Sequence, residues 1–279
     1  MDTVADGTGN PLQPLSGQLS PGDVTMDLTM CGLLVERAEE LAHLYSEHSN
    51  WNDVKQIWFD ERLSNRSTRN SSQKIYSVLT SRLKNAPESL PNPGDLPKIL
   101  DDCNTSRDKA QVLYPYLIAD DALVQYVVHE YVIQLSNDNW STIDFSNERL
   151  LAILNSLKYS DGSGFDYAKS TTERWCEGFR SVMREIGVID NQREVRGQSP
   201  PLGDTPLLVA AGFSHQVGGD DWYESPVGLC YLFQSEGKWP ELYDRVASTN
   251  AWEYVELHGE LQLRPTDGSY GWIDDGGEI

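Results

Sequence analysis

Apolar residues recur at helical spacing through most of this chain, and that pattern restricts it to a mainly α-helical fold. Leu34, Ala38, Leu41 and Tyr45 form one stripe, with Glu36, Glu39 and Glu40 turned outward. Val124, Val127, Val128, Tyr131 and Leu135 form another, and Leu150, Leu151, Leu154 and Leu157 a third. Trp175, Phe179, Val182, Met183 and Ile186 complete the set, with Gly187 placed to end the helix and Ser170 with Glu173 spaced as a capping box.

The breaks between stripes divide the chain. Residues 1–28, rich in Gly, Pro, Ser and Thr, read as a loose tail. Residues 29–86 hold three short helices. One runs from Gly32, a second from Trp51 with Asn50 as its N-cap, and a third covers 67–83; the arrangement is helix-turn-helix-like. Four prolines mark 86–97 as a linker. A central helical domain spans 95–190, a small α+β region 200–265, and a Gly- and Asp-rich acidic tail 266–279. In the α+β region, 226–233 is an apolar run and 252–264 holds one or two strands.

Charge narrows the function. The chain carries 43 Asp+Glu against 22 Lys+Arg, a net −21. Such a surface repels nucleic acid and anionic membrane in general. A salt-loving host is one explanation, and composition leaves it open. Four cysteines stand far apart without a C-x-x-C pair, and the first ten residues are polar, which points to a reducing, cytoplasmic setting. No apolar run approaches the ~20 residues of a membrane span.

Against that background, 62–87 is anomalous. It holds Arg62, Arg66, Arg69, Lys74, Arg82 and Lys84 and no acid. With Ile75, Leu79 and Leu83 as the buried stripe, Arg66, Asn70, Gln73, Lys74, Ser77, Ser81 and Lys84 fall on the opposite face. Cations, amides and hydroxyls are the groups that bond phosphates and base edges. Arg82 lies nearer the buried stripe and reads as a structural tie to a carboxylate, while Arg69 sits on the flank. The candidate contact set is therefore Arg62, Arg66, Arg69, Asn70, Gln73, Lys74 and Lys84. The bland reading is a solvated face that offsets acid elsewhere. In a halophile, molar salt shortens the Debye length to ~3 Å and weakens simple electrostatic binding. A second basic stretch, with Arg174, Arg180, Arg184, Arg193 and Arg196, is diluted by acids.

No phosphate-binding loop, nucleophile elbow or zinc-protease motif is present. Glu40 and His43 have the spacing of half a dimetal site, but a second half is missing. The expectation is a non-enzyme without metal, cofactor or small-molecule substrate.

The order of short motifs resembles the BrxA family, small accessory proteins of BREX phage-resistance systems. The resemblance rests on Cys31-Gly32-Leu33-Leu34-Val35, Asn50-Trp51, Arg66-Ser67-Thr68-Arg69 and Ser81-Arg82-Leu83. It continues through 113–116, 122–135, Ser170-Thr171-Thr172-Glu173 and 183–188. The acidity and the Gly/Pro-rich tail fit a haloarchaeal member. The resemblance implies a multi-helix fold akin in part to the NusB antitermination factor, with helix-turn-helix-like elements. It also implies double-stranded DNA binding without catalysis, beside a methyltransferase and a large ATPase. Two rival functions remain: an adaptor whose basic helix docks on an acidic protein, and an RNA binder by analogy with NusB.

Overall fold

The computed structural model describes residues 17–66, 68–137, 142–190, 195–257 and 260–266. Among them are eleven α-helices and two small antiparallel ribbons. The fold is mainly α with a small β element near the C-terminus.

The first three helices are α1 (Val35–His48), α2 (Trp51–Asp60) and α3 (Arg69–Lys84). Their ends follow local chemistry. The Asn50 side chain accepts from Asn52 N at 2.9 Å and caps α2. Thr68 Oγ1 accepts from Ser71 N at 3.2 Å and caps α3. Then come α4 (Leu96–Asp101), α5 (Ser106–Asp120) and α6 (Ala122–Asn137). Thr105 and Asp108 form a reciprocal capping box on α5.

Helices α7 (Asn147–Ser156) and α8 (Lys169–Glu185) follow, flanked by β1 (Ile143–Asp144) and β2 (Arg196–Gly197), which pair with each other. The expected Ser170–Glu173 box does not form: α8 begins earlier, with Ala168 at the N-cap position. Gly187 does end α8, at φ 82°, and Val188 N bonds back to Met183 O at 2.8 Å.

The C-terminal part holds α9 (Asp204–Gly218), α10 (Val227–Tyr231), α11 (Trp239–Ala247) and a hairpin of β3 (Trp252–Leu257) and β4 (Glu260–Pro265). The apolar run 226–233 is thus a buried short helix, a case that periodicity alone does not separate from a strand.

One apolar core runs through all of this. Its aromatic centre joins Tyr131, Phe145, Phe179 and Trp175, with ring centroids 4.8 to 6.2 Å apart between successive members. The stretch 86–97 is no spacer between cores. Leu90, Pro91, Leu96 and Pro97 are buried, and Tyr116 OH donates to Pro91 O at 2.5 Å. The helices on either side share the core because the prolines turn the chain back onto α5 instead of away from it.

The loose tail also ends sooner than expected. Residues 17–33 form a strap over α3 and α8. Gly17 N bonds Lys158 O at 2.7 Å, Ser160 N bonds Leu19 O at 2.8 Å, and Val24, Leu28, Cys31 and Leu33 are buried. Gly178 permits the closest approach, because a Cβ there would lie 2.1 Å from Leu28 O. Residues 1–16 and the acidic tail from 267 onward lie outside the described residues. All four cysteines are buried free thiols.

Candidate nucleic-acid interface

The interface is built on α3. Ile75, Leu79 and Leu83 are buried, as the stripe requires, together with Tyr76 and Val78. Arg62, Arg66, Arg69, Asn70, Gln73, Lys74, Ser77 and Lys84 are all exposed. The structure nevertheless divides that face into three parts with different electrostatics.

At the amino-terminal end, Arg62 and Asn65 take left-handed backbone, φ 58° and 51°, and turn the chain between α2 and α3. Arg62 and Arg66 lie in this turn and Arg69 opens α3. The first turn of α3 contains no acid, and none of the three arginines forms an ion pair among the described residues. The open N–H groups and partial positive charge of a helix start favour an anion here. Asn70 and Gln73 continue the same surface with amide donors and acceptors.

In the middle, the chain supplies its own anions. Lys74 Nζ lies 2.6 Å from Asp27 Oδ1 on the strap. Ser81 Oγ donates to Asp120 Oδ1 at 2.7 Å. Thr25, Asp27, Asp120 and Asp121 line a cavity of about 160 Å³ with Lys74, Ser77 and Ser81. The face is free of carboxylates in sequence but not in space. None of these acids lies in 62–87, so no local signal pointed to them.

Arg82 explains part of that cluster. It is buried, and its guanidinium donates from Nη1 to Gly32 O at 2.6 Å and from Nη2 to Cys31 O at 3.1 Å. The expected direct tie to a carboxylate is not among its bonds. Its hydrogen-bond acceptors are strap carbonyls, with Asp121 and Asp120 acting through charge. Burial pulls its pKa down and the two aspartates pull it back up. Asp121 caps α6 by accepting from Leu123 N and Val124 N, both at 3.1 Å. Burial nonetheless raises its pKa to about 6.

At the carboxy-terminal end, Lys84 Nζ sits 5.2 Å from the centroid of the Trp51 ring, which stacks on Tyr45 at 4.3 Å. This cation is held by an aromatic face and stands apart from the three arginines.

The second basic stretch is less available. Arg180 is buried and donates to Asn147 Oδ1 at 2.6 Å. Arg174 and Arg196 are exposed, while Arg193 lies outside the described residues. Asp27 and Leu28 of the strap lie between α3 and α8, so an acid interrupts any positive strip there.

The Glu40–His43 spacing resolves differently. Glu40 pairs with Arg37 at 2.8 Å. Glu39, His43 and Asp101 instead bring donor atoms within 4.8 Å of one another. The Lys109 ammonium is already bonded to Glu39 and supplies positive charge at that cluster. His129 is buried in α6 with neither ring nitrogen bonded, and burial lowers its pKa. No helix among the described residues is long and apolar enough to cross a membrane.

Comparison with known proteins adds to this picture. A crystal structure of an uncharacterized protein from Magnetospirillum magneticum is similar, with a TM-score of 0.54 at 12% identity over 75% of this chain and 98% of that one. At that identity the likeness concerns the fold alone. No curated protein matches the chain. The sequence pattern of the BrxA family matches residues 25–202, from the strap through α8 and β2. The match takes in more than half of the chain, and the protein belongs to the BrxA family, whose members are associated with BREX phage defence.

Proposed function

We propose that the protein is a non-catalytic, DNA-binding accessory subunit of a BREX-type defence system. Duplex DNA meets the amino-terminal end of α3, where Arg62, Arg66 and Arg69 contact phosphates and Asn70 and Gln73 lie within reach of the groove. The observation that carries this reading is three exposed arginines, without an ion pair among the described residues, at a helix whose first turn holds no acid, in a chain of net −21. Lys74 contributes little, because Asp27 already neutralises it. The α2–turn–α3 unit supports a helix-turn-helix mode, with α3 as the inserted helix.

The test is duplex binding across a salt series for wild type and an Arg66→Glu, Arg69→Glu double variant. The double variant should lose most of its affinity.

A second reading is an adaptor that docks on the methyltransferase or ATPase subunit. The mixed charge around Lys74, with Asp27 and Asp120 beside cations and hydroxyls, favours it, because such a surface suits a protein partner more than a polyanion. Nuclease-resistant capture of those subunits, lost on a Lys74→Glu, Lys84→Glu charge reversal, supports the adaptor. Competition between duplex DNA and RNA separates a NusB-like RNA binder from both.

A further inference from the structure

A second, larger cavity opens beside the arginines. It has a volume of about 500 Å³ and is walled by the start of α1, the turn before α3, and parts of α3, α5 and α8. Its floor is apolar, with Ile75 and Ala110 buried at 3% and 1% exposure. Arg66 and Ser106 line it and are exposed. Glu185 reaches it from α8 and is half-buried.

Three properties narrow what could enter. The volume falls in the range of small-molecule sites, about 300–1,000 Å³, so an inorganic ion would leave it mostly empty. The lining is mixed: Arg66 and Arg37 supply cations, the second already paired with Glu40, Glu36 and Glu185 supply carboxylates, and Ile75 and Ala110 form an apolar floor. A bare anion gains nothing from Glu185, and a purely apolar group leaves that carboxylate without a donor. Glu185 has a single weak bond, Ser181 Oγ to Oε1 at 3.4 Å, and Oε2 has no partner among the described residues. Burial raises its pKa, as for an acceptor short of donors. The third property is continuity, since Arg66 belongs both to this cavity and to the basic end of α3.

We propose that the cavity receives one unpaired nucleotide of a nucleic-acid strand, with its phosphate at Arg66 and an amino-bearing base over Ile75 and Ala110. The exocyclic amino group donates to Glu185, as carboxylates accept from cytosine N4. The idea rests on the DNA reading above and deepens it: the protein would prefer duplexes with an extrahelical base. Flipping is least costly where the base is already unpaired.

The experiment compares one duplex in three forms: fully paired, with a single extrahelical cytosine, and with a single extrahelical thymine, which has a carbonyl in place of the amino group. The cytosine bulge should bind about tenfold tighter than the paired duplex, and the thymine bulge should gain less. Ser106→Trp, which fills the mouth from an exposed position, should remove the gain and leave paired-duplex affinity unchanged. Glu185→Gln should remove the preference for cytosine over thymine, and does not depend on the tolerance of Ser106.

Equal affinity for bulged and paired duplex overturns the proposal, as does a gain that survives in Ser106→Trp. If no duplex binds, the DNA reading falls and the cavity is judged on cytidine monophosphate alone. Saturable NMR shifts at Ala110 and Ile75 then uphold a nucleotide site, and their absence overturns it.

Discussion

Lys74 Nζ rests 2.6 Å from Asp27 Oδ1, so the cation at the middle of the α3 face is neutralised from within the chain. Lys74 stays 44% exposed at its side chain, which limits what the pair adds to stability. Its effect lies elsewhere: the strap that carries Asp27 decides which of the α3 cations remain available. The pair thereby concentrates the unpaired positive charge of the face at Arg62, Arg66 and Arg69.

Removing Asp27's charge should expose this directly. Asp27→Asn is expected to raise duplex affinity several-fold, because it deletes a negative charge and frees an ammonium. Its cost in stability should be about 0–1 kcal/mol. Lys74→Gln should change affinity by less than about twofold, since a cation already paired contributes little counterion release. Fluorescence anisotropy at one fixed salt concentration checks both. Asp27→Asn without any gain would show that the pair does not gate the face.

Arg82 should matter for stability and not for binding. Its guanidinium satisfies the carbonyls of Cys31 and Gly32 and balances Asp120 and Asp121. Arg82→Met leaves those groups without a donor or counter-charge, and such losses cost about 3–5 kcal/mol. Urea unfolding should show the midpoint falling with little change in slope. The strap should loosen at the same time, seen as faster amide exchange at Cys31 and Leu33.

Much of the fold was legible in the sequence because it is local. The spacing of Trp175, Phe179, Val182 and Met183 defines a buried helix face, Asn50 caps α2, and Gly187 ends α8 with a left-handed residue. The exposure of Asn70, Gln73 and Lys84 follows from the same geometry, whereas Arg66 lies in the turn before the helix, which begins at Arg69. What was not legible is long-range. Asp27 and Asp120 lie 47 and 46 positions from Lys74 in the numbering, and nothing in either neighbourhood marks them as its surroundings. The strap itself is rich in Gly, Pro, Ser and Thr and looks like a tail. Leu28 packs onto α8 only because Gly178 leaves room there.

Asp121 should set a pH dependence of stability. Its pKa is raised by burial to about 6 in the folded chain, against 3.8 for the ordinary value. The folded state therefore holds the proton more tightly. The stabilisation is fully present below about pH 4 and is lost as pH rises through about 6. Asp121→Asn keeps an oxygen for Leu123 N and Val124 N and removes the titration. It should flatten the stability profile between pH 4 and 6 and raise stability at pH 7.5, on the order of 2–3 kcal/mol. Unchanged slopes in urea melts across that window would refute the assignment.

The most direct test of the DNA reading is the salt dependence of duplex binding for wild type against Arg66→Glu, Arg69→Glu. If Arg62, Arg66 and Arg69 each neutralise a phosphate, log K should fall with log salt at a slope of about −3 for the wild type. In the double variant the slope should shrink by about 2, with affinity falling in step and the melting temperature unchanged. Equal affinities and equal slopes for the two proteins would contradict the account and leave the amino-terminal end of α3 without a role in DNA binding.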